Sequence, residues 1–324
     1  LGGIEGSQAL AFSKTPCAFQ EKDMVRLLRL VGAQLRGILS MLLFVADTFM
    51  LTVPFYTVAL LKWVVPVEAW RRRCTWLLHR VADVWLYFLD LPQAMSRKTK
   101  WLVRGLDSVH VPGSCMLVVN HQTWVDIMVL IRLFYRKIPD FKFFVKRELL
   151  WLPIVGQAFW AVDFPVMRRY TPEEIRRRPK LKGKDLEIAK KSCEKFKGMP
   201  VSIFNFVEGT RFRQDKHARQ NSPFTHLLRP KAGGVALVLG AMGEMIHSIL
   251  DVTIVYPKGV RTFWDYLCGK VDEIRVHVRQ IPVTRDLIGD YTDNASYRKY
   301  IQEWVNMLWQ QKDRRIDEML LWQG

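Results

Sequence analysis

In the stretch Asn120-His121-Gln122-Thr123-Trp124-Val125-Asp126 a histidine precedes a carboxylate by five residues. A neutral imidazole takes a proton from a hydroxyl when its other nitrogen donates to a carboxylate, which fixes the tautomer and stabilises the imidazolium that forms. The oxygen so activated attacks a thioester directly, and no serine or cysteine nucleophile is required. On one regular helix the two residues would lie about 140° apart around the axis and could not meet. They meet only if His121 sits in a turn ahead of the helix that carries Asp126. Thr123-x-x-Asp126 reads as a capping box, with Thr123 as N-cap and Asp126 at the third helical position. That box alone would explain Asp126 without any chemistry.

A second cluster, Phe204-Asn205-Phe206-Val207-Glu208-Gly209-Thr210-Arg211, ends a run of strand character and enters a glycine turn. Gly209 permits a backbone geometry and a close ligand approach that a side chain would block, and the planar fork of Arg211 suits phosphate oxygens. Glu208 could order Arg211 or a substrate hydroxyl. Taken alone, Glu-Gly-Thr-Arg is a polar turn; its occurrence about 80 residues after the histidine, also at a strand end, gives it meaning.

The elements that must hold these groups follow from the alternation of β-rich and helical runs after about residue 100, the pattern of an α/β sheet. Strands are expected at Cys115 to Asn120, Phe141 to Val145, Val201 to Phe206, Asp251 to Tyr256 and Glu273 to Val278. Helices are expected at Val125 to Tyr135, Asp185 to Phe196, Gly234 to Leu239 and Ala295 to Leu321. In open α/β sheets ligands bind at the strand ends, where both motifs fall. The expected fold is therefore α/β, a mixed central sheet flanked by helices over residues 96–324, preceded by a hydrophobic, membrane-associated helical segment at 24–95. Residues 1–23 show no apolar core followed by a small-residue cleavage site and are set aside as a leader, with Met24 a possible natural start.

Within that segment, Ile38 to Leu61 runs 24 residues with one charge, Asp47, and one proline, Pro54. This meets the roughly 20-residue length of a spanning helix. Arg26, Arg29 and Arg36 precede it, and Lys62, Arg71, Arg72 and Arg73 follow. Basic flanks on both sides are easier to reconcile with a shallow re-entrant pair of helices, bending near Asp47 or Pro54, than with one span. Thr75 to Leu91 reads as an amphipathic interfacial helix. The whole chain of 324 residues carries 49 Lys and Arg against 31 Asp and Glu, a net +18, which favours an anionic partner. The apolar segment moves that expectation from nucleic acid to membrane lipid. Cys17, Cys74, Cys115, Cys193 and Cys268 form no metal-ligand spacing, so no metal is expected. His79, His110, His217, His226, His247 and His277 have no carboxylate placed beside them by sequence.

The two motifs together strongly resemble the glycerophospholipid acyltransferase family, whose members include lysophosphatidic acid acyltransferases. The resemblance implies that His121 is the general base, Asp126 its orienting partner, and Glu208, Gly209, Thr210 and Arg211 part of the acceptor-phosphate site. Phe164-Pro165-Val166-Met167-Arg168 is similar to a further family block, which adds Arg168 to that site, although Pro165 stands where an aromatic is usual. Val252-Thr253-Ile254-Val255-Tyr256-Pro257 is similar to the final block and adds Pro257 to the pocket. The stretch Ser222 to Gly234 resembles the branch with lysocardiolipin and lysophosphatidylinositol acyltransferases and their bacterial relatives. An enzyme of this kind would move a fatty acyl group from acyl-CoA or acyl carrier protein to a lysophospholipid hydroxyl, most simply that of 1-acyl-sn-glycerol-3-phosphate. It would need no metal or redox cofactor and would work at the cytoplasmic face of a membrane, the inner membrane in a bacterium. The competing readings are the same chemistry on lysophosphatidylinositol or lysocardiolipin, and a non-enzymatic basic protein that binds anionic lipid, its motifs serving as caps and turns.

Overall fold

The computed structural model describes residues 21–323 apart from 97–98, 152–154, 169, 171, 182 and 292. Among the described residues there are eight strands: β1 (Lys100–Arg104), β2 (Ser114–Val119), β3 (Asp140–Lys142), β4 (Val145–Lys146), β5 (Val166–Met167), β6 (Val201–Phe206), β7 (Ile246–Val255) and β8 (Glu273–Pro282). Six of them form one sheet in the order β1-β8-β7-β2-β6-β3, while β4 and β5 pair separately. Every pairing is parallel except β7 with β8. The helices are α1 (Glu21–Val64), α2 (Glu68–Ser96), α3 (Val125–Phe134), α4 (Val155–Ala161), α5 (Pro172–Arg177), α6 (Lys184–Cys193), α7 (Gln214–Gln220), α8 (Ala232–Met242), α9 (Phe263–Leu267) and α10 (Ala295–Leu320).

A central parallel strand is covered on both faces, so its sequence reads as an unbroken apolar run. Ser114-Cys115-Met116-Leu117-Val118-Val119 does so, and all six residues of β2 are buried. Alternate side chains then feed two cores. Met116 and Val118 pack with Val235 and Leu239 of α8 and Ile301, Val305 and Trp309 of α10. Cys115, Leu117 and Val119 pack on the opposite face with Val125, Val129 and Phe134 of α3 and with Tyr266 and Leu267 of α9.

The mixed sheet, the flanking helices and the apolar N-terminal helix agree with the sequence. Three local expectations need correction. The run from Ile38 to Leu61 does not bend at Asp47 or Pro54, because α1 is continuous for 44 residues. Pro54 removes one backbone bond, and contact with α2 along the hairpin tolerates that loss. The chain turns only at 65–67, where Pro66 cannot continue a helix. The strand expected at Phe141 to Val145 is divided between β3 in the main sheet and β4 in the small one. Two histidines also find carboxylates: His79 Nδ1 lies 2.9 Å from Asp140, and His226 Nε2 lies 2.7 Å from Asp317.

Helix α1 is long and apolar enough to cross a membrane. Much of its apolar surface has no protein cover, with Leu28 65%, Phe49 71% and Val53 70% exposed. Its C-terminal end is tied to the sheet domain. Lys62 Nζ donates to Ala161 O at 3.0 Å and pairs with Asp163 at 3.1 Å, and Thr75 of α2 reaches the same carboxylate. Lys142, buried beneath α2, donates to Val162 O at 2.7 Å, and burial lowers its pKa to about 8. Membrane hairpin and sheet are joined by charged groups that burial makes costly to separate.

Candidate active site

Strands β6, β2 and β7 are adjacent and parallel, so their C-terminal ends lie side by side along one edge of the sheet. At about 4.8 Å between neighbours, three strand ends span roughly 10 Å. From these ends come the Glu208 to Arg211 turn, Asn120-His121, and Tyr256-Pro257. Asn120 closes β2 by imitating a ladder pair: its Nδ2 donates to Ile254 O and its Oδ1 accepts from Ile254 N, both at 2.9 Å. The next residue is thereby released from the sheet at a fixed point. His121 then sits in the turn before α3, and its carbonyl accepts from Phe212 N at 2.7 Å, which ties it to the glycine turn.

The turn solves the spacing problem posed by the sequence. His121 Nδ1 lies 2.9 Å from Asp126 Oδ2. The imidazole is stacked on the ring of Phe206, with centroids 4.0 Å apart, so it cannot swing freely. Asp126 is fully buried. Its Oδ2 also accepts from Gln122 N at 2.6 Å and Thr123 N at 2.9 Å, while its Oδ1 accepts from Tyr256 Oη at 2.7 Å. Four donors on two oxygens satisfy a carboxylate that has no water around it. Burial and the Asp126 charge push the Tyr256 phenol well above its ordinary pKa, so it remains a donor.

The capping box expected at Thr123 is only half present. The Asp126 carboxylate holds Thr123 N, but the Thr123 hydroxyl takes no bond from Asp126 N: it accepts a long one from Val125 N at 3.4 Å and donates to Arg261 O at 2.8 Å. A complete box occurs at Thr262 and Asp265, ahead of α9. Asp126 therefore does more than start a helix, because its two oxygens join the turn at 121–123 to Tyr256, 130 residues away.

In the second cluster Gly209 has φ +68°, a left-handed conformation that a side chain would strain. Thr210 accepts a hydrogen bond from Lys216 Nζ. Arg211 is exposed, and its guanidinium carbon lies 4.9 Å from the centre of the Trp124 ring. Glu208 does not order Arg211. It is 1% exposed, lies behind the turn, and neither carboxyl oxygen has a hydrogen-bond partner of good geometry among the described residues. Burial first, and the Asp126 charge second, push its pKa well above the ordinary carboxyl value, outweighing Lys312 and the backbone at Leu228 and His121. A carboxyl group whose burial favours its protonated form thus stands inside the wall of the site rather than on the surface an acceptor would touch.

Arg168 follows β5 in the small sheet, with its guanidinium 4.8 Å from the Tyr170 ring. Among the described residues no contact joins it to His121, Asp126 or the glycine turn. Pro257 is half-buried at the end of the strand that delivers Tyr256. Sequence reasoning gave no role to Tyr256, Trp124 or Asn120. Tyr256 and Trp124 stand inside the quoted motifs, so the signal was present without the contacts that interpret it.

Residues 100–257 match the Acyltransferase family model, and this segment builds the whole edge just described. That match and the similar proteins below support an O-acyltransferase. Among similar proteins is a probable 1-acyl-sn-glycerol-3-phosphate acyltransferase 5 of Arabidopsis thaliana, 25% identical over 296 residues, which cover 88% of this chain and 73% of that one. The 1-acyl-sn-glycerol-3-phosphate acyltransferase gamma of Mus musculus is 22% identical over 222 residues, covering 64% of this chain and 54% of the relative. The crystal structure of a 1-acyl-sn-glycerophosphate (LPA) acyltransferase from Thermotoga maritima is similar with TM-score 0.41 and 18% identity, over 89% of this chain and 99% of the other.

Proposed function

We propose that the protein transfers a fatty acyl group from a thioester, acyl-CoA or acyl carrier protein, to the free hydroxyl of 1-acyl-sn-glycerol-3-phosphate. The observation that carries the mechanism is the 2.9 Å contact of His121 Nδ1 with a buried Asp126, at a strand end beside an arginine-bearing glycine turn. The names of the relatives support the acceptor. His121 Nδ1–H donates to Asp126, leaving Nε2 to accept the acceptor's hydroxyl proton as its oxygen bonds to the thioester carbonyl carbon. The tetrahedral intermediate then collapses, the C–S bond breaks, and the imidazolium returns the proton to the departing thiolate. Arg211 holds the acceptor phosphate, and Gly209 and Thr210 shape the turn beneath it. The apolar surface of α1 keeps the site at the cytoplasmic leaflet, where the lipid acceptor enters from the membrane and the thioester from water. The likeness of Ser222 to Gly234 to the lysocardiolipin branch supports a second reading, the same transfer to a headgroup-bearing lysophospholipid.

The test is acyl transfer from a labelled thioester to a panel of lysophospholipids, using detergent-solubilised full chain and its His121→Ala variant. General base catalysis contributes about 10² to 10⁴ in rate. The variant is expected to lose at least the lower figure while still binding lipid vesicles. Transfer retained in the variant would remove His121 from the mechanism, and wild-type transfer to none of the panel would overturn the proposed reaction.

A further inference from the structure

We propose that Lys231 is a second ligand for the acceptor phosphate, and that Lys231 and Arg211 together fit the dianion of a phosphate monoester. This rests on the acyl-transfer reading above and names the group that its acceptor site selects.

Lys231 lies at the entry to α8, 22 residues beyond Gly209, yet the fold returns it to the glycine turn. Its backbone N–H donates to Val207 O at 2.9 Å, which fixes the residue at the base of that turn. Its aliphatic stem then crosses Gly209. A Cβ at Gly209 would lie 3.4 Å from Lys231 Cδ and 3.5 Å from Nζ, so the ammonium stands directly over the glycine backbone. A lysine laid across a left-handed glycine presents its charge where that glycine allows a ligand to come close.

Pairing elsewhere sharpens the contrast. Lys216 is held by Thr210, and Arg213 and Arg219 both pair with Asp215. Among the described residues neither Lys231 nor Arg211 has a carboxylate partner, and the one carboxyl in the turn, Glu208, is buried behind it and held towards neutrality by burial. Two unpaired cations therefore flank the turn whose next residue, Phe212, hydrogen-bonds to His121. An anion bound at the turn is attracted by both charges. A phosphate monoester carries about −1.5 to −2 charges at pH 7, its second pKa being about 6, whereas a phosphodiester carries one. Two cations match the first.

The measurement uses full chain in mixed micelles, comparing wild type with Lys231→Ala and Lys231→Arg. KM and kcat are read for lysophosphatidate, and Kd for lysophosphatidate is read in a His121→Ala background, with monoacylglycerol of the same chain length as control. Loss of one charge-assisted bond should raise both KM and Kd about tenfold, with kcat changed much less. Lys231→Arg should recover most of the loss, and monoacylglycerol binding should not move. In wild type KM should fall as pH rises through the second phosphate ionisation, and Lys231→Ala should flatten that fall. KM and Kd within twofold of wild type in Lys231→Ala would overturn the proposal, as would an equal loss with monoacylglycerol. If no acceptor gains acyl in wild type, the transfer reading fails, while the Kd comparison still decides Lys231.

Discussion

Replacing Tyr256 by Phe removes one oxygen and leaves the ring that packs beneath α3, so it isolates the hydrogen bond to Asp126. In the wild-type site Oδ2 has three donors and Oδ1 has Tyr256 alone. Asp126 has no exposed surface, so water does not replace the lost donor. Leaving a buried, charged acceptor unsatisfied costs about 1.5 to 3 kcal/mol. Two readouts divide that cost. Stability should fall, and at roughly 2 to 4 °C per kcal/mol for a domain of this size Tm drops by about 3 to 12 °C. A carboxylate held through one oxygen only also orients His121 less well. If half or more of the loss reaches the barrier, kcat falls about 4- to 160-fold, at 1.36 kcal/mol per factor of ten. The assay is label transfer from thioester to lysophosphatidate between pH 5 and 9, alongside thermal unfolding in the same detergent. A lower Tm with kcat within twofold of wild type would show that Tyr256 only packs, and would refute this account of the Asp126 cage.

Glu208 holds its proton in the folded state at pH values where the unfolded chain has released it. Its raised pKa thus lowers stability progressively as pH rises from about 4.5 towards the folded value. Glu208→Gln, a neutral isostere, should unfold at higher temperature than wild type at pH 8, with the gap closing near pH 4.5; a gap independent of pH counts against a protonated Glu208. Lys312 of α10 is fully buried, donates to Val252 O at 2.6 Å and pairs with Asp251, which also pairs with Arg279. Removing one partner of a buried pair costs about 3 to 5 kcal/mol. Lys312→Met should approach that loss in thermal unfolding, and Lys312→Met with Asp251→Asn should recover at least half; an unrecovered double variant would mean that packing, not charge, explains Lys312.

What the sequence made legible was local. The apolar run of β2, the histidine at its end and the glycine turn after β6 are each readable within a few residues, because burial on two faces and left-handed backbone leave marks in residue type. Asp126 was legible as a partner only once the histidine was placed ahead of the helix. The contacts that turn these pieces into a site are distant in the chain. Tyr256 meets Asp126 across 130 residues, Asn120 meets Ile254 across 134, and His79 meets an aspartate 61 residues later. No periodicity encodes such pairs. They exist because the sheet order sets β7 beside β2, and a single sequence does not state that order. The missed continuity of α1 has the same origin, since Pro54 is a local signal and the packing of α1 on α2 is not.

The distribution of these contacts also bears on where the functional unit ends. The family match stops at Pro257 and includes, among the described residues, every side-chain or backbone donor to the Asp126 carboxylate. Yet the strands that deliver His121 and Tyr256 are held from below by α10, beyond that boundary. Lys312 Nζ contacts the carbonyls of Val252 at 2.6 Å and Val118 at 3.5 Å, on β7 and β2 respectively, just before the residues that leave the sheet. A backbone fixed on both strands by one buried cation leaves little freedom for the relative positions of His121 and Tyr256. That constraint suits the proposed reaction, in which the imidazole must stay aligned while the proton passes from oxygen to sulfur. The matched segment supplies the chemistry, and the C-terminal helix supplies the rigidity on which its geometry depends.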